Sequence, residues 1–222
     1  MRIRWFGQSA FLLTAEKRVA IDPFGELPPG RDMRFEYPPI EDVEADLLLV
    51  THEHFDHTGV DSIAGEPQVI RSTAGTIESP VGDVVGVASE HDDAAGTRRG
   101  PNTIFVFSMN GYRVCHMGDF GQKALRPEQK RAIGKVDVLF LPVGGGPTIS
   151  GPQAAEIARE LKPRMIVPMH FRTPAIDFLD RPDAFMKSVT GTTERPGESE
   201  IDTDDLIGTC KEPVVAVLEA PL

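Results

Sequence analysis

Alternating and continuous runs of apolar residues predict that much of this chain forms β-strands. Within the first 22 residues, apolar side chains recur at every second position, for example at Ile3 and Trp5, with polar turns between the runs. Such alternation is typical of strands with one buried face, so we predict a strand meander ending at Asp22. The segment DLLLV at residues 46–50 is apolar without alternation, which is typical of a strand buried on both faces.

The same patterns of apolar residues predict further strands and one amphipathic helix. The predicted strands cover residues 68–72, 84–90, 103–108, 112–117, 136–143, 164–169 and 214–219. Asn110 and Gly111 are a two-residue hairpin signal between two of these strands. Pro152 is placed to begin a helix with apolar residues at helical spacing. Residues 23–39 contain five prolines and two glycines and therefore predict a long loop, whereas residues 183–205 have no clear pattern.

Length and charge narrow the classes of protein to consider. A chain of 222 residues can bury one sizeable core, so we predict a single α/β (α+β) domain over residues 1–222. The net charge of −11 disfavours nucleic acid and anionic membranes as partners. The apolar runs are too short for a membrane span or a signal sequence, which predicts a cytoplasmic protein. Cys115 and Cys210 lack metal-site spacing and are predicted to be reduced thiols.

The stretch HEHFDHT at residues 52–58 holds three of the six histidines in the chain. Other residue types that bind metals follow further predicted strands, namely His91, Asp119 and His170. Loops beyond strand ends converge on one crevice in α/β proteins, so these side chains are expected to meet. A tight H-x-H-x-D-H loop presents His52 and His54 to one ion and Asp56 and His57 to a second. Five imidazoles and two carboxylates suit two cations such as Zn²⁺ with a bridging hydroxide.

This ordered pattern resembles that of the metallo-β-lactamase superfamily. The segments WFGQSAFLL, IDPF, CHMGD and LPVGGGPTISGPQAA look like those of its small metal-dependent hydrolases related to L-ascorbate-6-phosphate lactonase. The resemblance implies a four-layer αββα sandwich with the metals at one edge of its two sheets. It implies three ligand roles: His52, His54 and His91 for the first ion, Asp56, His57 and His170 for the second, and Asp119 as the bridge. It also implies that Asp22 orients a ligand histidine by accepting its other ring N–H.

We therefore predict a binuclear metal-dependent hydrolase with Asp56 and Asp119 as catalytic residues. The bridging hydroxide would attack an ester, lactone or phosphoester bond of a small anionic metabolite. Zn²⁺ is favoured, and Mn²⁺ or Fe²⁺ also suit the donors. The alternatives are an iron-dependent redox enzyme and a non-catalytic, metal-containing protein that binds a metabolite. His54 favours hydrolysis, because the di-iron relatives usually have glutamate there and Glu53 is one position away. A homo-oligomer is compatible with the sequence.

An anionic substrate requires a local cation in so acidic a chain, and Arg98, Arg99 and Arg172 are the candidates. The alternative is that these arginines pair with nearby aspartates and brace the loops. His116 lies within a predicted strand, which favours a hydrogen-bonded core histidine. The glycines at 144–146 lack the rest of a phosphate-binding motif and predict a close backbone approach to the site. Ser9 is predicted to be a turn or strand residue.

Overall fold

A computed structural model describes residues 1–26, 30, 33–207 and 212–222 of the chain. The described strands fall into two large sheets and one small pair. They are β1 (Arg2–Gly7), β2 (Ala10–Thr14), β3 (Arg18–Ile21), β4 (Val43–Glu44), β5 (Leu47–Val50), β6 (Ile63–Ala64), β7 (Gln68–Arg71), β8 (Gly75–Ser79), β9 (Gly82–Glu90), β10 (Pro101–Met109), β11 (Tyr112–His116), β12 (Val138–Pro142), β13 (Met165–Met169), β14 (Thr192–Glu194), β15 (Glu200–Asp202) and β16 (Val214–Ala216). The described helices are α1 (Pro127–Ile133), α2 (Gly151–Leu161), α3 (Asp183–Ser188) and α4 (Thr203–Ile207).

The six-stranded sheet has the order β15-β1-β2-β3-β5-β7. Strands β1, β2 and β3 form the predicted antiparallel meander, and β5 then runs parallel to β3. Because β3 and β5 are parallel, their carboxyl ends lie at the same edge of the sheet. Asp22 and Thr51, which directly follow these two strands, are therefore neighbours.

The eight-stranded sheet has the order β14-β16-β13-β12-β11-β10-β9-β8. The hairpin predicted at Asn110 and Gly111 joins β10 to β11, and both residues have positive φ angles of 51° and 77°. Such angles are those of a two-residue type I′ turn, which Asn-Gly favours. Strands β11, β12 and β13 are parallel, so the residues that follow β11 and β13 also reach one edge.

The main core lies between the two large sheets. Phe11 of β2 and Phe140 of β12 meet there with ring centroids 4.6 Å apart, and Trp5 stacks on Phe11. All three side chains are buried, and each fully buried side chain of this size contributes roughly 1.5–3 kcal/mol through the hydrophobic effect. The alternation predicted for the meander therefore directs one face of the six-stranded sheet into this core.

Each large sheet also has a covered outer face. Helix α2 buries the apolar stripe predicted from its spacing, including Ala154, Ile157 and Leu161. The opposite face of the six-stranded sheet, with Phe6 and Leu48, is covered by loop residues that include Phe24, Tyr37 and Ile176. The described part of the predicted loop at residues 23–39 thus forms an outer layer over the sheet.

Several short elements were not predicted from the sequence. Helices α1, α3 and α4 have 7, 6 and 5 residues, which is less than two turns, so their apolar residues show little periodicity. Strands β14 and β15 have three residues each and occupy the patternless segment 183–205. No helix in the described ranges is long and apolar enough to cross a membrane.

Two predictions about isolated side chains are confirmed. Cys115 is a buried free thiol, and burial raises its pKa to about 12; Cys210 lies outside the described residues. His116 is fully buried, with Nε2 3.1 Å from the carbonyl oxygen of Ser9 and Nδ1 accepting a hydrogen bond from the Gly118 N–H at 3.2 Å. Burial lowers the pKa of His116, which is consistent with a neutral core histidine.

Candidate metal centre

The structure brings all seven predicted ligand residues together at the shared edge of the two large sheets. They arrive from the loop after β5, from the residues that follow β9 and β13, and from the segment after β11. Their nitrogen and oxygen atoms form three groups in which all ligand atoms lie within 4.8 Å of one another. The groups are His52, His54 and His91; His52, His57 and Asp119; and Asp56, His57 and His170. The first and third groups contain the residues expected to hold the two ions.

Asp119 lies between the two groups, as expected for a bridging ligand. Its Oδ2 atom is 3.1 Å from Nε2 of His91 in the first group and 3.1 Å from Nε2 of His170 in the second. The same oxygen is 3.4 Å from Nε2 of His57. The Asp119 backbone N–H is held by Asn102 Oδ1 at 3.0 Å, and Ser9 Oγ donates to Asp119 Oδ1 at 3.3 Å.

Oxygen atoms outside the cluster orient His52 and His91 through hydrogen bonds, and an aspartate oxygen lies beside His57. Nδ1 of His91 is 3.1 Å from the carbonyl oxygen of Pro147, and Nδ1 of His57 is 2.9 Å from Asp22 Oδ2. Nδ1 of His52 is 3.0 Å from Thr51 Oγ1, whose own proton is donated to Asp22 Oδ2 at 2.7 Å. Nδ1 therefore carries the proton in His52 and His91, and Nε2 of each of these two rings presents its lone pair to the cluster.

Several backbone features make room for these contacts. Asp22 and His170 have φ angles of 47° and 51°, so the chain turns sharply where each strand ends. A Cβ atom on Gly144 would lie 2.2 Å from the His170 carbonyl oxygen, so only glycine permits the observed approach. The close backbone approach predicted for the glycine turn is present, and the same turn places Pro147 beside His91.

The protonation of the cluster is uneven. Burial lowers the pKa of His57, but Asp119, Asp22 and Asp56 outweigh it and hold the pKa well above the ordinary value. Burial, reinforced by His57, holds the pKa of His52 well below its ordinary value. Burial raises the pKa of Asp119, but the neighbouring His170 and His57 outweigh it and hold that pKa well below the usual range. Asp119 is therefore a carboxylate at neutral pH.

The donor set fits divalent metal ions. The His52 and His54 rings approach with Nε2 and Nδ1 only 3.1 Å apart, and the buried Nε2 atom of His57 has no hydrogen-bond partner among the described residues. A shared cation would give these closely spaced or unpartnered buried nitrogens a partner. Imidazole and carboxylate donors suit Zn²⁺ and its neighbours among the transition metals.

A cavity of about 570 Å³ opens over the cluster. Its lining includes His54, Asp56, Asp119 and the apolar side chains of Met33 and Phe178. Glu53 lies at its rim and is held by Arg71 Nη2 at 2.5 Å, so it is turned away from the first group of ligands.

The three candidate arginines occupy different places. Arg99 lines the cavity over the cluster and also a neighbouring cavity of about 570 Å³. Arg98 lines only the neighbouring one of these two cavities and pairs with Asp93 at 3.5 Å. Arg172 lines a third cavity and donates to the carbonyl oxygen of Asp177. The structure therefore brings Arg99 to the cluster, whereas Arg98 and Arg172 have the contacts expected of arginines that brace loops.

Sequence reasoning missed several residues that contact the ligands. Gln8 donates from Nε2 to Asp56 Oδ2 at 2.9 Å, and Asn102 holds the backbone of Asp119. Ser9 was predicted only as a turn or strand residue, yet its hydroxyl donates to Asp119 Oδ1. The one signal in the sequence is that Gly7, Gln8 and Ser9 interrupt the strand meander.

Comparison with known proteins defines the class to which this fold and site belong. Residues 2–170 match the family model described as the beta-lactamase superfamily domain. The UPF0173 metal-dependent hydrolase of Thermococcus kodakarensis is 30% identical, with 89% of this chain and 98% of the relative aligned. A relative of the same name from Methanosarcina mazei is also 30% identical, with 93% and 95% aligned.

Solved structures agree with the sequence comparison. A crystal structure from Thermotoga maritima, assigned to the metallo-β-lactamase superfamily as a Zn-dependent hydrolase, has a TM-score of 0.77 and 32% identity. The similarity covers 99% of this chain and 98% of that one. The chain belongs to the metallo-β-lactamase superfamily. Within that superfamily it is one of the metal-dependent hydrolases.

Proposed function

We propose that this protein is a binuclear hydrolase that cleaves an ester, lactone or phosphoester bond in a small anionic metabolite. The observation that carries the proposal is the position of the Asp119 carboxylate, with one oxygen 3.1 Å from a histidine of each ligand group. A carboxylate shared in this way would join two metal positions into one centre. The donor set supports Zn²⁺, as does the description of the Thermotoga maritima structure as that of a Zn-dependent hydrolase, and Mn²⁺ or Fe²⁺ also suit these ligands.

Two divalent ions bound here would activate water and polarise the oxygen of the scissile group. The protein residues hold and orient the reacting groups around them. Thr51 and Pro147 keep His52 and His91 in the tautomer that presents Nε2, and Asp22 lies 2.9 Å from Nδ1 of His57. The carboxylate of Asp56 lines the cavity, so it is placed to take up the proton that water loses when its oxygen bonds to the substrate carbon or phosphorus. As the bond to the leaving oxygen breaks, Asp56 returns that proton to the leaving oxygen.

Arg99 is the group in this site that favours an anionic substrate. Its side chain is exposed at the cavity, and no ion pair to it occurs within the described residues. A guanidinium group binds carboxylate or phosphate through paired hydrogen bonds. Asp56 and Asp119 would offset much of the metal charge, so Arg99 supplies positive charge beyond that of the centre. The cavity volume of about 570 Å³ suits a small molecule.

The test is hydrolysis by the Zn²⁺-loaded protein of a panel of esters, lactones and phosphodiesters, with charged and neutral members in each class. We expect turnover that chelation abolishes and added Zn²⁺ restores, with the highest kcat/KM among anionic compounds. The absence of metal-dependent turnover across the panel contradicts the proposed reaction. A consistent preference for neutral compounds contradicts the proposed substrate class and leaves the reaction type standing.

A further inference from the structure

The turn between β1 and β2 carries a glutamine that no part of the strand pattern requires. Gln8 is fully buried and has a φ angle of 50°, a left-handed conformation that is uncommon for a residue with a side chain. It follows Gly7, where a Cβ atom would lie 2.3 Å from the ring of Tyr37. The chain is thus held tightly in a conformation that directs the Gln8 side chain toward the metal centre.

Gln8 contacts two of the three residues in the second ligand group. Its side-chain Nε2 donates to Asp56 Oδ2 at 2.9 Å. Its backbone oxygen accepts hydrogen bonds from the His170 N–H at 3.2 Å and from the indole N–H of Trp5 at 3.1 Å. One residue therefore connects the loop that carries Asp56 to the end of the strand that precedes His170.

The side-chain amide of Gln8 is only half satisfied. Nε2 has the Asp56 carboxylate as its partner, but the buried Oε1 atom accepts no hydrogen bond from any described residue. A glutamine that served only to complete the hydrogen bonds of the core would be expected to have both ends paired. This amide is instead placed for its contact with Asp56.

We propose that Gln8 is a positioning residue that fixes the Asp56 carboxylate and thereby sets the affinity of the second metal position. The inference rests on the proposed binuclear function. An N–H donor to Asp56 Oδ2 restricts rotation of the carboxylate, and the same oxygen lies 3.8 Å from Nε2 of His57 in the second ligand group. Among the described hydrogen bonds, the Gln8 side chain contacts none of the three residues of the first ligand group, so we expect the first position to be independent of it.

The test is titration of the metal-free protein with Zn²⁺ in competition with a chromophoric chelator, which resolves two binding constants in the wild type. Gln8→Met keeps the length of the side chain and removes the amide. Gln8→Asn keeps the amide but is too short to reach Asp56. In both variants we expect one of the two constants to fall by about 10- to 100-fold, the range for residues that orient metal ligands, and the other constant to stay unchanged.

Two controls separate positioning from general damage. Gln68→Met makes the same change at an exposed position of β7 and should leave both constants unchanged. In an Asp56→Asn background, Gln8→Met should have little further effect, because its partner carboxylate is already lost. Thermal unfolding of each metal-free variant checks that the fold is retained.

The outcomes separate this inference from the proposed function. If the wild type binds two ions and both Gln8 variants keep both constants, the positioning role is wrong while the binuclear centre stands. Equal weakening of both constants, or an undiminished effect in the Asp56→Asn background, also overturns it. A wild-type protein that binds a single ion overturns the binuclear function and this inference with it.

Discussion

In the proposed binuclear centre, Asp119 is the residue on which both metal positions would depend. Its buried carboxylate contacts His91 and His170, one from each ligand group, at 3.1 Å. In Asp119→Asn the shape is kept and the charge is lost, so we expect Zn²⁺ content to fall at both positions and kcat/KM to fall by at least about 100-fold. Metal analysis and steady-state kinetics measure the two effects. Full occupancy at an unchanged rate would remove Asp119 from the centre.

The protonation state of His57 should determine how many protons are released when Zn²⁺ binds. The carboxylates of Asp119, Asp22 and Asp56 hold the pKa of His57 well above its ordinary value despite its burial, so the metal-free protein carries a proton there at pH 7. His52 is neutral, because burial holds its pKa well below the ordinary value. Zn²⁺ must displace the His57 proton, and affinity should therefore rise with pH until His57 is deprotonated.

Calorimetric titrations with Zn²⁺ in two buffers of different ionisation enthalpy measure this proton release. We expect about one proton to be released from His57 at pH 7 when the ion beside it binds. A heat of binding that is the same in both buffers, after correction for dilution, would show that no proton leaves and that His57 is already neutral.

We expect Arg99 to distinguish substrates by charge. In Arg99→Ala we expect the KM of an anionic substrate to rise by the equivalent of about 1.5–3 kcal/mol, the range for hydrogen bonds to charged groups. A neutral analogue of that substrate should be affected far less. Arg159→Ala removes an exposed arginine of α2 and controls for net charge. Unchanged kcat/KM for the anion in Arg99→Ala would make Arg99 a structural residue.

At the scale of elements, the loop after β9 is organised by a single carboxylate. Asp92 Oδ1 accepts from the N–H groups of Ala94 and Gly96 at 2.7 and 2.9 Å, and Oδ2 accepts from those of Arg98 and Arg99 at 3.0 and 2.8 Å. Burial alone would raise the pKa of Asp92, but these four donors lower it to about 2. The loop that presents Arg99 is therefore closed around an ionised side chain.

This arrangement predicts a specific dependence of stability on pH. A carboxyl group whose pKa is lower in the folded than in the unfolded state stabilises the fold above its unfolded pKa of about 3.9, and this contribution is lost as pH falls through the folded value. Metal-free Asp92→Asn should be less stable than the wild type at pH 5, and the difference should shrink between about pH 4 and pH 2. Denaturant unfolding at several pH values measures it, and a constant difference would contradict the account.

The sequence predicted the elements that have strong periodicity and missed those without it. The meander through β3, the hairpin at Asn110 and the apolar face of α2 follow from local patterns that the fold retains. Helices α1 and α3 are too short to repeat a pattern. The strand at 214–219 ends at Ala216 in the structure, although Val217 still donates to the carbonyl oxygen of Glu194.

The residues of the candidate site were also only partly predictable from the sequence. The seven histidines and aspartates of the cluster could be predicted as metal ligands, because each lies in a segment that follows a strand and these strand ends meet at one edge. The partners Gln8, Asn102 and Pro147 could not, because their contacts depend on which loops face each other after folding. The arginine candidates show the same limit, since the proximity of Arg172 to His170 in sequence does not place its side chain in the cavity over the cluster.

At the scale of the whole molecule, the net charge of the chain contrasts with the local charge expected at the metal-ligand cluster. The chain has a net charge of −11, yet its metal-ligand cluster collects five imidazoles around two carboxylates at the junction of two sheets. Two divalent ions would make this edge a local positive region in an acidic protein, and Arg99 would extend it. The long-range field would thus oppose an anionic substrate while the site itself attracts it.

The most direct test of the binuclear centre is anomalous diffraction at the zinc edge from crystals of the Zn²⁺-loaded protein. We predict two peaks of comparable height, one among His52, His54 and His91 and one among Asp56, His57 and His170, with Asp119 in contact with both. A single peak at full zinc loading, or peaks away from these residues, would contradict the account.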